Sequence, residues 1–193
     1  MKQNILLLVF LVISLNLIYA QTEKGAFLIG LDNKFNFKGK ADYAGTGYAS
    51  FSLHLSPKFG YFIGKSLSIG AEFPIIYQKS IFPRDGVERE HKYSMFFFTP
   101  YIRYYVGAKK VKPYFNLKCG YGAGKSGLDG NILKEEGAMI ELGPGLTLFI
   151  SEKITIDFGV NYLFITSEIS DPFSDSYSVA HEFQGNLGMS ILF

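Results

Sequence analysis

From residue 26 onward, apolar and polar side chains alternate with a two-residue period, and no window keeps a 3.6-residue apolar repeat. Residues 154–164 carry the cleanest case. Ile154, Ile156, Phe158, Val160, Tyr162 and Phe164 fall on one face of an extended chain, and Thr155, Asp157, Gly159, Asn161 and Leu163 on the other. Successive side chains of a strand point to opposite faces, so the pattern predicts a sheet with one greasy and one mostly polar side. Similar runs predict strands at about 26–37, 49–63, 67–79, 93–106, 113–123, 138–150 and 181–193, which with 154–164 makes eight. Soluble strands run to about 5–6 residues, whereas a tilted membrane-spanning strand needs about 9–11. Most of these are long enough to span.

The connections alternate in length. GKS (64–66), GAKKVK (107–112) and SEK (151–153) are short, while the segments near 38–48, 80–92, 125–136 and 167–180 are longer and more polar. Short turns at one end and longer loops at the other are the layout of transmembrane barrels. The predicted fold is therefore all-β: an eight-stranded antiparallel up-and-down transmembrane β-barrel, with short periplasmic turns and longer extracellular loops. Pro57, Pro74, Pro100 and Pro144 fall inside proposed strands, where each removes a ladder hydrogen bond, so bulges or local breaks are expected there.

Which face is greasy decides between membrane and water. One face presents Phe51, Leu53, Phe59, Tyr61, Phe96, Phe98, Ile102 and Tyr104; the opposite face presents His54, Lys58, Glu72, Arg103, Lys118, Glu141 and Asp157 among glycines and serines. An eight-stranded barrel encloses only enough room for side chains to fill. The bulky rows do not fit inside it, so they face outward, and such a surface needs lipid. Aromatic residues at both ends of the greasy rows, Phe27, Tyr61, Tyr104, Phe115 and Phe193 at one, Phe35, Tyr77, Phe96, Tyr121, Phe164 and Phe183 at the other, match two membrane–water boundaries. Inside, Lys58, Glu72, Arg103, Lys118, Glu141 and Asp157 are expected to form a charge network. The GKS turn sets Lys58 opposite Glu72, so these two are expected to pair, with Arg103 sharing Glu72 and Lys118 and Asp157 across the lumen. Leu28, Ile76, Phe97 and Tyr101 also alternate inward, which predicts a plugged lumen rather than an aqueous pore.

The first twenty residues, MKQNILLLVFLVISLNLIYA, have a basic flank, an apolar run and a small residue at Ala20. That is the layout of a secretory signal, so residues 1–20 are read as removed and 21–193 as one barrel domain. Loss of Lys2 takes the formal charge from +2 to +1, too balanced to suggest nucleic acid as a partner. Cys119 is the single cysteine, so no disulfide forms within the chain.

The signal, the eight alternating strands and the terminal HEFQGNLGMSILF together resemble the small outer-membrane β-barrel families of Gram-negative bacteria, OmpA/OmpX-like in architecture. That resemblance implies that Phe193, with Ile191, Met189 and Leu187 on the same face before it, is read by the barrel-assembly machinery. It also implies a monomer whose surroundings are outer-membrane lipids and lipopolysaccharide, with any extracellular ligand unspecified.

Motifs that carry chemistry are few. GYGAGKSG (120–127) lacks the first glycine of a phosphate-binding loop, since Cys119 stands there, and no helix-like segment follows. His54, His91 and His181 are scattered, so no metal site or cofactor is expected. His181 with Glu182 and Ser176 or Ser178 is the one candidate hydrolytic constellation, and nothing in the spacing makes it converge. The expected function is non-enzymatic, in envelope structure or surface interaction through the outer loops. A lipid-modifying or hydrolytic barrel and a narrow small-solute channel are the alternatives.

Overall fold

The structure, a computed structural model, describes residues 24–36, 49–84, 87–107, 110–128, 131–170 and 176–193. The apolar N-terminal segment and the connection at 38–48 lie outside the described residues. Among the described residues there are nine strand segments: β1 (Phe27–Asn36), β2 (Ala49–Phe62), β3 (Leu67–Glu72), β4 (Ile75–Arg84), β5 (Val87–Tyr105), β6 (Val111–Leu128), β7 (Asn131–Phe149), β8 (Ile154–Ser170) and β9 (Ser176–Leu192). All pair antiparallel. β3 and β4 are the two halves of one wall strand, because both lie between β2 and β5 in a single unshifted register. Pairing of β1 with both β2 and β9 closes the ring, giving eight walls and no free lateral edge at the level of β1.

Only one of the four prolines divides its strand. At Pro74 the ladder lapses over Phe73 and Pro74, yet Phe73 N–H still donates to Pro57 O at 2.8 Å and Phe97 N–H to Pro74 O at 2.9 Å. Outside this gap the Phe73 ring lies 5.9 Å from Phe59, 6.1 Å from Phe96 and 5.6 Å from Phe98. Pro57, Pro100 and Pro144 sit in continuous strands, and partner numbering is unchanged on either side of each. No bulge forms at these three, but the β5–β6 ladder lapses over Thr99 and Pro100 and the β7–β8 ladder over Gly143 and Pro144, the local breaks expected there. An antiparallel pair leaves alternate residues unbonded to a given neighbour, so a missing N–H costs one bond without forcing an extra residue into the strand.

Strand length is the larger correction. β5 and β7 have 19 residues each, and β6, β8 and β9 have 17 or 18. Most of residues 80–92, 125–136 and 167–180, expected as loops, continue the hydrogen-bonded ladders: Ile81 faces Glu90, Ser126 faces Leu133, and Ser167 faces Ser178. These hairpins mix charged and apolar residues, exposed Val87, Ile132 and Val179 beside Glu90 and Lys134, which breaks the alternation that marks a strand while leaving its backbone bonding intact.

Following partners around the ring from Ala26 through Phe62, Ser68, Arg103, Asn116, Gly143, Asn161 and Gln184 leads back to β1 at Asn36, ten residues higher. A stagger of this size on eight strands corresponds to a tilt near the upper part of the usual range, about 40–45°. The alternation is resolved as outward-apolar. Phe27, Ile29 and Leu31 of β1 are 58%, 57% and 47% exposed, while Asp32 and Lys34 between and beside them are 0% and 4% exposed. In water that arrangement would place every hydrophobic row on the wrong side.

Candidate functional site

The barrel interior is stacked in layers. Nearest the short turns, Leu28, Phe62, Tyr105, Tyr114, Phe149 and Leu192 form an apolar cluster. Toward the long hairpins Met95, Phe97, Met139 and Leu163 form a second, with Ile76, Tyr93 and Ile165 packed against it. Tyr101 lies between them over Gly60 and Gly70, where an added Cβ would come within 2.2 and 2.7 Å of its ring and hydroxyl atoms. Only glycine leaves room for that ring on the lumen side of β2 and β3.

Among the described residues, eight charges occupy the space between the two apolar clusters, in two groups of four. In the group nearer the turns, Lys58 Nζ donates to Asp32 Oδ1 at 2.6 Å and to Asp157 Oδ2 at 2.8 Å, and Arg103 Nη1 donates to Asp157 Oδ2 at 2.9 Å. Thr147 Oγ1 adds a 2.6 Å bond to Asp157 Oδ1, and the Arg103 guanidinium lies 4.1 Å from the Tyr114 ring centre. In the other group, Lys34 Nζ is 3.0 Å from Glu72 Oε1 and 2.7 Å from Glu141 Oε2, while Lys118 Nζ is 2.5 Å from Glu72 Oε2 and 3.0 Å from Glu141 Oε1. Each cation touches both anions, so the four close a ring of alternating sign drawn from β1, β3, β6 and β7. Both quartets are formally neutral, and none of their side chains is more than 3% exposed.

All six charges expected in the lumen, Lys58, Glu72, Arg103, Lys118, Glu141 and Asp157, lie there, but the partners differ from those expected. Lys58 and Glu72 are opposite on the ladder, yet Lys58 turns to the aspartates and Glu72 to Lys34 and Lys118. Arg103 binds Asp157, not Glu72, and Lys118 belongs to the other quartet from Asp157. Asp32 and Lys34 complete the two groups and were missed. Their signal was present, since both alternate onto the polar face of β1 with Gly30.

The remaining candidates are dispersed. His54 is half-buried on the lumen side, with no hydrogen-bond partner for Nε2. His91 Nε2 lies 3.2 Å from Ser126 Oγ in the hairpins, and His181 Nδ1 lies 2.5 Å from the Tyr162 hydroxyl on the outer wall. His181 thus faces away from Glu182 and Ser178, which alternate inward, Ser178 making a part-buried hydroxyl contact of 2.8 Å with Ser167. Ser176 falls where side chains are not described. The hydrolytic constellation is not assembled by any of the described side chains. No group of three metal-ligating side chains occurs among the described residues. Residues 120–127 lie within β6, extended, so GYGAGKSG forms no phosphate-cradling loop. Cys119 is exposed on the outer face, and Leu187, Met189, Ile191 and Phe193 line the outer face of the closing strand at 48%, 58%, 43% and 68% exposure.

No protein-family model matches the chain, and no curated protein sequence is significantly similar to it. Solved structures do match. The outer membrane protein OprG from Pseudomonas aeruginosa is 12% identical with a TM-score of 0.58, the match covering 91% of this chain and 99% of that one. The E. coli outer membrane protein W is 15% identical with a TM-score of 0.55, covering 89% and 100%. The N-terminal β-barrel domain of P. aeruginosa OprF is 13% identical with a TM-score of 0.52, covering 88% and 98%. The fold is that of the small outer-membrane β-barrels.

Proposed function

We propose that this chain is an integral, non-enzymatic protein of the bacterial outer membrane, exported by residues 1–20 and inserted as a monomer with its long hairpins outside. Its lumen is closed to solutes, and its work is structural or adhesive, done by the outer hairpins and the lipid-facing wall. The observation that carries this reading is the pairing of two neutral, buried charge quartets with an apolar cluster at each end. A conducting lumen needs a continuous wet path, whereas here charges satisfy one another at 2.5–3.0 Å and large side chains fill both ends. Surrounding partners are outer-membrane lipids and lipopolysaccharide, with the barrel-assembly machinery acting on Leu187, Met189, Ile191 and Phe193 during insertion.

Planar bilayers containing the refolded chain test the closed lumen: no discrete conductance is expected, and stable single-channel steps would overturn it. A deletion strain should show altered envelope permeability or surface attachment, while lipid A and phospholipid profiles stay unchanged. An altered lipid profile restored by the wild-type gene would replace this reading with an enzymatic one.

A further inference from the structure

Above the apolar belt, on the outer face of β4–β7, the wall is indented. Two adjoining cavities of about 590 and 460 Å³ share Tyr77, Ser94 and Lys125 as lining. The floor is made of small side chains, Ser94 and Ala123, which face one another's neighbours across the β5–β6 ladder; Tyr77 and Phe96 form one side, and Lys125, Lys134 and Glu136 the other. Strand register explains the shape, because Tyr77 pairs Ser94, Ser94 pairs Lys125, and Lys125 pairs Lys134 in one row around the barrel.

Two like charges directly opposite each other on neighbouring strands repel, and such pairs are ordinarily destabilising. The row above holds another, Lys79 opposite Lys92, but Glu90 serves both: Lys79 is 3.1 Å from it and Lys92 is in direct contact, and Lys92 foremost holds the Glu90 carboxyl below the usual carboxylate range. Lys125 and Lys134 have no such ion. Glu136 and Glu168 stand one row nearer the belt, opposite one another, and Glu136 accepts a bond from the Tyr121 hydroxyl. No ion pair reaches Lys125 or Lys134 among the described residues. A lysine pair without an ion-pair partner among the described residues therefore borders an indentation also lined by Tyr77, Phe96 and Glu136, the Glu136 carboxylate being held by Tyr121, at the height where the lipid-facing rows give way to polar ones.

We propose that this indentation seats a phosphate-bearing lipid of the outer leaflet, its phosphate between Lys125 and Lys134 and its first acyl carbons against Tyr77, Phe96 and Ala123. This rests on the membrane orientation proposed above and names the lipid class the wall selects. Lysine supplies a point charge suited to a phosphate, and basic pockets at a membrane surface are a recognised means of retaining anionic headgroups. Small residues on the floor admit the upper acyl chain, which larger side chains at positions 94 and 123 would displace.

The test uses the full mature chain in phosphatidylcholine nanodiscs doped with either diphosphoryl lipid A or its dephosphorylated form, with lipid retained after detergent extraction measured by mass spectrometry. Retention of the phosphorylated form should exceed the dephosphorylated form by about tenfold. Lys125→Gln with Lys134→Gln should abolish the difference, Lys125→Arg with Lys134→Arg should keep it, and Lys153→Gln at the opposite end should leave it unchanged. Added inorganic phosphate should not displace the lipid. Equal retention of both lipids, an unaffected double glutamine variant, or full displacement by inorganic phosphate would each sink the proposal. A heat-dependent gel shift reports that every variant is a folded barrel. Fractionation of cells, scored separately, tests the outer-membrane reading, so a failure of either is recognised by itself.

Discussion

Lys58 and Glu72 face each other across the β2–β3 ladder, yet their charges belong to different quartets: Lys58 reaches Asp157 at 2.8 Å while Glu72 reaches Lys118 at 2.5 Å. Adjacency in a sheet fixes where a Cβ starts, and a long side chain in a narrow lumen then crosses to whichever opposite charge is unmatched. The stagger of the strands brings β6 and β8 residues to the same height as β2 and β3 residues that are far from them in ladder order.

That geometry predicts a specific pattern of coupling. Removing one member of a buried ion pair costs about 3–5 kcal/mol because its partner is left charged and dry, whereas removing both can be neutral. Glu72→Ala should therefore lower the urea unfolding midpoint of the refolded barrel sharply. Glu72→Leu with Lys118→Met should recover most of the loss, since Lys34 and Glu141 remain as a neutral pair. Lys58→Met with Glu72→Leu should not, because each quartet is left with an odd charge. Recovery in that last variant would mean the two residues do pair.

The closing strand makes a second prediction. Phe193 N–H donates to Phe27 O at 2.9 Å and Phe27 N–H to Phe193 O at 3.1 Å, so the last residue bonds the first wall strand. Deleting Phe193 should leave export intact but shift the protein from the outer-membrane fraction to the periplasm, scored by fractionation and gel mobility. Normal membrane levels of the shortened chain would dissociate Phe193 from assembly.

Orientation is tested by protease on intact cells. Cleavage is expected, where it occurs, near residues 85–86 and 171–175, and not in the lysine-bearing connection at 107–112. Cutting at 107–112 in sealed cells would turn the barrel over.

Cys119 gives a fourth test. It is the single thiol and sits on the outer face at mid-wall, opposite Ile140 and between Leu117 and Tyr121 on the same side. In liposomes it should resist a charged maleimide yet react after urea unfolding. Rapid labelling of the folded, reconstituted protein would show that this row faces water.

Much of this barrel was legible from alternation alone: the walls, their inward and outward faces, and the 58–72 register set by a short turn. Three things were not. The ion-pair partners depend on the stagger of the whole ring, which no local pattern encodes. Asp32 and Lys34 were passed over although they sit on the polar face of β1, because a charge beside a glycine in a short strand reads as an ordinary solvated position. The upper hairpins lost their strand signal for a physical reason: beyond the bilayer neither face needs to be apolar, so residues such as Glu88, Glu90 and Lys92 form ladders without hydrophobic alternation.

The placement of the two quartets between apolar layers also bears on the medium in which this protein operates. Mobile counter-ions weaken attraction between charges that they can surround, and side chains with at most 3% exposure offer them no approach. The interior electrostatics are thus insulated from salinity, while Lys125 and Lys134 on the wall outside remain fully subject to it. An organism moving between dilute and brackish water would find the frame of this barrel unchanged and only its grip on charged surroundings altered.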